Sequence, residues 1–172
     1  MDIEAKLKEG NLIFQEKMEG KSLLNERLIK GQNPFAIVVT CSDSRVIPEE
    51  IFSVSLGELF VIRSAGNVIN EGELASIEYG IHHLHIDYVL VLAHTLCGAV
   101  HAAIHDEKGM YLAPILSKIK EVTSINKDER QTSIDNAIKQ VEYIKNKFPD
   151  YKGTIEAGLY DIATNSVLFI DK

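Results

Sequence analysis

Short apolar runs rich in β-branched residues alternate with segments of helical periodicity along this chain, and that alternation restricts its fold more than any other feature. Residues 35–40 (Phe-Ala-Ile-Val-Val-Thr) and 87–93 (Asp-Tyr-Val-Leu-Val-Leu-Ala) have the nearly continuous apolar character of strands buried on both faces. Strands that alternate with helices are typical of an α/β domain whose sheet is mostly parallel. We therefore predict that fold class, in a single domain that covers residues 1–172.

The other elements are predicted from the same periodicities and from turn and stop signals. Apolar residues at helical spacing predict helices, which glycine and proline interrupt or end. Asn165 supplies the turn before an expected edge strand. Helices are predicted over residues 2–30, with a break near Gly20, and over 74–84, 112–122 and 134–144, and two more are predicted to begin at Pro48 and at Cys97. Further strands are predicted at 59–63, 155–159 and 166–170.

The composition argues against several functional classes. Hydrophobic residues make up 45% and charged residues 25% of the 172 residues, which indicates a packed core rather than disorder. A formal net charge of −7 without a basic stripe argues against a nucleic-acid partner. No apolar stretch approaches the roughly 20 residues of a membrane span, and the first residues lack the pattern of a secretory signal. We therefore expect a cytoplasmic protein that does not bind membranes.

Two short polar segments carry the residues that are most suited to chemistry. Residues 41–45 (Cys-Ser-Asp-Ser-Arg) and 94–97 (His-Thr-Leu-Cys) each begin where an apolar strand pattern stops. Ligands of open parallel sheets bind beyond the carboxyl ends of the strands, so Cys41 and His94 are expected at that edge. Cys97 follows at the start of a predicted helix, where amide groups and the helix dipole favour a thiolate.

Two cysteines and one histidine form a set of ligands that zinc prefers. The chain has only two cysteines, Cys41 and Cys97, and a reducing compartment disfavours a disulfide between them. Three protein ligands, with His94 as the third, leave one tetrahedral position free, which is the catalytic arrangement rather than the structural one. Two thiolates neutralise the charge of the zinc ion, so we expect activity to rise on the alkaline side of neutrality.

Asp43 and Arg45 lie two and four residues beyond Cys41. If this segment is extended, all three side chains point to one side. Arg45 can bind the carboxylate through two parallel hydrogen bonds and lower its pKa, so that Asp43 stays ionised. Asp43 could then accept a proton from a zinc-bound hydroxide, or it could bind zinc itself and close the site.

These residues resemble the β-class carbonic anhydrases, whose signature is Cys-x-Asp-x-Arg followed by His-x-x-Cys. The resemblance extends over nearly the whole chain. It includes Gly-Gln-Asn-Pro at 31–34, Val-Ile-Pro at 46–48, Gly-Glu-Leu-Phe at 57–60, Arg-Ser-Ala-Gly-Asn at 63–67, Ala-Ser-Ile-Glu-Tyr at 75–79, Cys-Gly-Ala-Val at 97–100 and residues 158–164.

The resemblance implies a zinc enzyme that interconverts carbon dioxide and bicarbonate. One zinc ion per chain would be held by Cys41, His94 and Cys97, and the Asp43–Arg45 pair would orient the hydroxide that attacks carbon dioxide. Gln32, Phe60, Tyr79 and Gly98 would be the substrate-binding residues, with the two aromatic rings lining an apolar pocket across a dimer interface. The implied fold is a parallel sheet of four strands plus an edge strand. Residues 1–31 would form a helical arm that pairs the chains into a homodimer or a dimer of dimers.

Family members in which the aspartate closes the site carry a tryptophan three residues before the first cysteine. Val38 occupies that place and the chain has no tryptophan, which favours the open form with water on the metal. Two alternative functions remain at this point. One is hydrolysis of carbonyl sulfide or carbon disulfide at the same zinc site, and the other is a non-catalytic zinc-binding or redox-sensing domain.

The remaining histidines are interpreted as surface residues. His82, His83 and His85 diverge around a helix end, so they do not converge on one ion. His101 and His105 lie four residues apart, a spacing that can bind a metal or serve a proton shuttle, and we interpret them as ordinary helix surface.

Overall fold

The computed structural model describes residues 2–123 and 128–170. The chain divides into two compact units, Met1–Asn33 and Pro34–Lys172. The helices are α1 (Ile3–Glu19), α2 (Ser22–Lys30), α3 (Pro48–Ile51), α4 (Glu71–His82), α5 (Gly98–Ile104), α6 (Ala113–Lys120) and α7 (Glu129–Lys147), and the strands are β1 (Ala36–Cys41), β2 (Leu59–Ser64), β3 (Tyr88–His94), β4 (Thr154–Asp161) and β5 (Ser166–Ile170). A 3₁₀ turn over Ala65–Asn67, which the sequence patterns do not predict, follows β2.

The second unit is built on one five-stranded sheet with the order β2-β1-β3-β4-β5. Strands β1 to β4 are parallel, and β5 pairs antiparallel with β4 at the edge. This confirms the predicted α/β fold with four parallel strands and an edge strand. The parallel order brings the carboxyl ends of β1 and β3 side by side, which is where the two polar segments begin.

Side chains of the central strands alternate between two apolar clusters, one on each face of the sheet. Ile37 and Val91 belong to the cluster covered by α4 and α7, whereas Val38 and Leu92 belong to the cluster on the opposite face. All six residues of β1 are buried, as expected for a strand covered on both sides. Burial of each large aliphatic side chain stabilises the fold by about 1.5–3 kcal/mol, so the strand ends are held firmly.

The first unit consists of α1 and α2. The Asp2 side chain caps α1 by accepting hydrogen bonds from the amides of Glu4 and Ala5, and α1 ends at Gly20, which confirms the predicted helix break. Neither helix has a buried residue, and apolar side chains such as Ile3 and Leu7 are exposed. The roles of this unit as a dimerisation arm and as part of a single domain stay predictions.

Two predicted boundaries shift by one residue at the carboxyl edge. Strand β1 includes Cys41 and strand β3 includes His94, so both residues end their strands rather than following them. The hydrogen-bonded ladder therefore fixes the backbone of both residues directly. Among the described residues, no helix combines the length and apolar character needed to cross a bilayer.

Candidate metal centre

Cys41, His94 and Cys97 meet at the carboxyl edge of the sheet. Cys41 ends β1, His94 ends the neighbouring β3, and Cys97 is the residue before the first turn of α5. Their Sγ and imidazole nitrogen atoms all lie within 4.8 Å of one another, and all three residues are buried. The two Sγ atoms are 4.0 Å apart as free thiols. The structure thus brings together three of the residues predicted from the strand ends, in a group that could hold a metal ion.

The orientation of the His94 ring leaves one of its nitrogen atoms available to bind a cation. Its Nδ1 lies 2.9 Å from the carbonyl oxygen of Thr95, and because a carbonyl only accepts, Nδ1 carries the proton. Nε2 therefore presents a lone pair, and within the described residues this fully buried atom has no hydrogen-bond partner. Its distance to the Asp43 Oδ2 atom is 3.9 Å, too long for a hydrogen bond. A buried unpaired nitrogen costs free energy unless an ion binds it, so the site fits a metal such as zinc.

A hydrogen bond joins the two thiols. A hydrogen bond from Cys97 is the largest cause that lowers the pKa of Cys41, while the same bond and burial raise the pKa of Cys97. The Gly66 amide donates a further hydrogen bond to Cys41 Sγ at 3.3 Å. Amide groups at the start of α5 act to lower the pKa of Cys97, as predicted, but they do not offset the neighbouring thiolate. A divalent ion held here would bind both sulfur atoms as thiolates, and their protons would be released.

Gly66 is a supporting residue that the sequence alone did not single out. Its φ of 66° lies in the left-handed region, and an added Cβ would come 2.9 Å from Ile119 Cδ1. Its carbonyl accepts a hydrogen bond of 2.8 Å from the Asn136 side chain of α7. A side chain at Gly66 would therefore strain the backbone and require Ile119 to shift, and the Gly66 amide is held in position to contact Cys41.

The apolar periodicity of α7 does not reveal a buried row of polar residues along the same helix. Thr132, Asn136 and Gln140 follow one another at intervals of four residues, and all three are buried although they are polar. The Gln140 side chain accepts from the Ile69 amide at 3.0 Å and donates to Asn136 at 3.2 Å. The signal available in the sequence was this polar spacing on a face flanked by apolar residues.

Asp43 and Arg45 form the predicted ion pair, but the extended geometry considered for this segment is wrong. The chain turns after Cys41, and the Asp43 carboxylate accepts from the Arg45 backbone amide at 2.9 Å. Such a turn is favoured by aspartate, whose side chain replaces a backbone acceptor. The Arg45 guanidinium donates to both carboxylate oxygens, at 2.9 and 2.7 Å, and to the Leu96 carbonyl at 3.1 Å.

These bonds determine the charge of Asp43. The hydrogen bonds from Arg45 hold the pKa of the Asp43 carboxyl well below its usual range. Arg63 steadies the same turn by donating to the carbonyl oxygens of Asp43, at 2.8 Å, and Cys41, at 3.3 Å. The Asp43 carboxylate is therefore ionised and held by Arg45, which is exposed to solvent, while Arg63 holds the backbone of the turn.

Comparison with known proteins identifies the family. The carbonic anhydrase family model matches residues 36–166, which include every residue of the metal centre described above. The chain belongs to the carbonic anhydrase family. This confirms the resemblance drawn from the paired motifs.

Individual relatives agree with this assignment over different lengths. Carbonic anhydrase 2 of Mycobacterium tuberculosis is 48% identical over 77 residues, covering 45% of this chain and 37% of the relative. The Synechococcus elongatus carbonic anhydrase is 51% identical over 83 residues, covering 45% and 30%. The chain thus spans well under half the length of these curated relatives. The solved β-carbonic anhydrase CcaA matches 97% of this chain and 87% of its own, with a TM-score of 0.85 and 27% identity.

The residues that the family resemblance implies for substrate binding are distributed over both units. The Phe60 and Tyr79 rings lie 6.1 Å apart, in β2 and α4. Gly98 opens α5 beside Cys97, and a Cβ built there would meet no atom within 4 Å. Gln32 belongs to the first unit, beyond α2. Substrate contact by these four residues stays a prediction.

The surface histidines fall into two groups. His82, His83 and His85 are exposed, as expected, and the His83 ring stacks on Tyr79 at 5.1 Å. His101 and His105 are exposed as well, but they lie close to Glu129 of α7. That second group is separate from the buried metal centre.

Proposed function

We propose that this chain catalyses the zinc-dependent, reversible hydration of carbon dioxide to bicarbonate and a proton. The observation that carries the proposal is the buried Nε2 of His94, which has no hydrogen-bond partner in the described part of the chain and lies near two thiols and an ionised aspartate. Family membership supports the same activity. Cys41, His94 and Cys97 would hold one zinc ion per chain, and zinc supplies a hydroxide nucleophile by lowering the pKa of bound water.

Asp43 acts on the nucleophile without binding the metal. Both of its carboxylate oxygens accept hydrogen bonds from Arg45, so leaving that position for the metal would break two charge-assisted bonds. The ionised carboxylate can still accept a hydrogen bond from the nucleophile and orient its lone pair toward carbon dioxide. The two hydrogen bonds from Arg45 support the open form of the site, in which Asp43 does not bind the metal. Val38, in the place where closed family members carry tryptophan, supports the same form.

Substrate contacts are proposed at the four residues named by resemblance. Phe60 and Tyr79 offer apolar ring surface for carbon dioxide, which carries no net charge. The open space beside Gly98 leaves room for substrate next to Cys97. Gln32 donates a hydrogen bond to a substrate oxygen.

Assembly and location are proposed from exposed apolar surface and from the free thiols. The exposed apolar side chains of α1 support pairing of residues 1–31 with a second chain, giving a homodimer or a dimer of dimers. Two free thiols in one buried site support a reducing compartment such as the cytoplasm.

Stopped-flow measurement of carbon dioxide hydration, combined with zinc analysis of the same sample, tests this function. We expect one zinc ion per chain and hydration well above background, increasing toward alkaline pH, and loss of both in Cys97→Ser. Full zinc loading without hydration would reject the proposal and favour a non-catalytic zinc domain. Sulfide release from carbonyl sulfide or carbon disulfide, in the absence of hydration, would favour the hydrolase alternative.

A further inference from the structure

A second group of metal-binding side chains lies at the other end of α5. His101 is in its last turn, His105 is the residue that ends it, and Glu129 is the first residue of α7. One nitrogen from each imidazole and one carboxylate oxygen all lie within 4.8 Å of one another. The cluster is open to water, since the side chains of His101 and Glu129 are 52% and 35% exposed.

Contacts within the cluster already align its members. His101 Nδ1 lies 2.7 Å from Glu129 Oε1, which joins the end of α5 to the start of α7. The His105 ring stacks on the His101 ring with centroids 4.1 Å apart and an interplanar angle of 29°. His105 Nδ1 donates to the carbonyl oxygen of His101 at 2.9 Å. The three side chains are therefore near one another before any ion binds, which reduces the entropy cost of chelation.

The donor set matches that of zinc and related ions. Two imidazole nitrogens and one carboxylate oxygen form a known set of three protein ligands for zinc, and imidazole also suits nickel and copper. Two histidines four residues apart on one helix face can bind the same ion. Ligand atoms around an ion with bonds of about 2.0–2.1 Å lie roughly 3.3 Å apart. Rotation of these exposed side chains can bring ligand atoms that lie within 4.8 Å of one another to that separation.

We propose that His101, His105 and Glu129 form a second, exchangeable binding site for a divalent transition-metal ion. The ion ties the carboxyl end of α5 to the amino end of α7, which the direct His101–Glu129 contact joins when no ion is bound. Because α5 begins next to Cys97, the bound ion stabilises the helix that presents one ligand of the buried centre. The site has no thiolate and remains open to water, so its ion exchanges more readily than an ion in the buried centre.

Nickel titration of the full chain tests the site. The protein is first saturated with zinc, freed of loosely held metal by gel filtration, and titrated with Ni²⁺ in a buffer that does not bind metals. We expect one further equivalent of Ni²⁺ per chain by calorimetry. His101→Ala and Glu129→Gln should each weaken this binding about tenfold or more, since even residues outside the ligand shell change metal affinity by about 10–100-fold.

The control is His82→Ala, which removes one exposed imidazole at the end of α4. It should leave nickel affinity unchanged, and thermal unfolding without nickel should show that all three variants remain folded. No uptake of Ni²⁺ by the parent protein would overturn the proposal. Equal nickel affinity in the parent protein and in His101→Ala would also overturn it. Equal nickel affinity in the parent protein and in Glu129→Gln would reject the carboxylate as a ligand, and with it the three-ligand site.

Cobalt spectroscopy distinguishes the two centres independently of affinity. Co²⁺ added to the zinc-saturated protein should give visible ligand-field bands without a thiolate charge-transfer band in the near ultraviolet. Those visible bands should be lost in His101→Ala and kept in His82→Ala. A thiolate band instead would place the added ion at Cys41 and Cys97 and contradict a second site.

Discussion

Helix α5 has a cluster of side chains that could bind a metal ion at each end, and the two clusters differ in burial and in donor chemistry. The buried centre combines two thiols with His94, which is fully buried. The exposed cluster combines His101 and His105 with a carboxylate that water reaches. In the buried centre, Nε2 of His94 has no hydrogen-bond partner among the described residues, whereas in the exposed cluster Nδ1 of His101 is hydrogen-bonded to Glu129.

The difference in burial determines how strongly ion binding at each cluster affects the stability of the fold. Without an ion, the buried centre keeps an imidazole nitrogen that has no hydrogen-bond partner among the described residues, which costs free energy. Water satisfies the exposed cluster when the ion is absent. Metal should therefore contribute much to the stability of the buried centre and little to that of the exposed cluster.

The largest effect is expected from Cys97→Ser, which removes a ligand from the buried centre. Zinc content should fall to about a tenth or less of the parent value, because loss of a ligand is at least as costly as loss of its supporting contacts. The thermal unfolding midpoint should fall with it, since the proposed ion would join the ends of β1 and β3 to the residue that precedes α5. Elemental analysis and thermal unfolding measure the two effects.

His101→Ala is the matched comparison for that variant at the other end of α5. It should keep the zinc of the buried centre and unfold close to the parent temperature. If Cys97→Ser binds zinc as tightly as the parent protein, the proposed ligand set is wrong and the contrast between the clusters disappears.

Asp43→Asn should separate turnover from metal binding at the buried centre. The amide keeps the shape of the carboxylate but loses its charge, so it no longer orients the nucleophile as an ionised acceptor. Hydration should fall about 100-fold or more, within the usual range for a lost acid–base group. Stopped-flow assays report the loss, while zinc analysis should show unchanged metal content. Turnover equal to that of the parent would refute the role of Asp43.

Gly66→Ala should disturb the buried centre through its surroundings alone. A Cβ would approach Ile119 Cδ1 at 2.9 Å, and the positive φ adds strain. We expect a loss of about 1–3 kcal/mol in the free energy of unfolding, measured by denaturant titration. Nickel binding at the exposed cluster should not change.

Gly98→Ala is the control for that substitution, because its Cβ would meet no atom within 4 Å. It should leave the free energy of unfolding nearly unchanged. If the two alanine variants were equally stable, crowding at Gly66 would not contribute to the buried centre.

The smallest effect concerns the Asp43–Arg45 pair and its dependence on pH. Because folding lowers the pKa of Asp43, the pair stabilises the protein fully above the ordinary carboxyl pKa of about 3.9, and this contribution is lost as pH falls toward the lowered value. The unfolding midpoints of metal-free parent and Arg45→Ala should therefore differ by a constant amount from neutral pH to about pH 5. The difference should narrow in stronger acid. A gap that widens in acid would contradict the assigned sign.

Much of the fold could be predicted because its signals are local. The apolar runs of β1 and β3 predict buried strands, and the end of each run places Cys41 and His94 at one edge of the sheet. The turn at Asp43 was not predicted, because the aspartate side chain competes with extended backbone in a way that alternation does not encode.

The exposed cluster shows why other parts could not be predicted. Helical spacing brings His101 and His105 together, but Glu129 is 28 positions from His101 and reaches it only through the packing of α5 near α7. Asn136 contacts Gly66 across 70 positions for the same reason. Contacts at such separations depend on how elements pack, which a single sequence leaves open.

The wide spacing of the buried ligands sets an order of events during synthesis. Cys41 and Cys97 are 56 positions apart, and they approach each other only when β3 has paired with β1. A ribosome-bound chain that has not yet exposed residue 97 therefore has no complete site to offer an ion. The complete set of proposed ligands therefore exists only once β1 and β3 have paired, which makes sheet formation a requirement for metal binding at this centre.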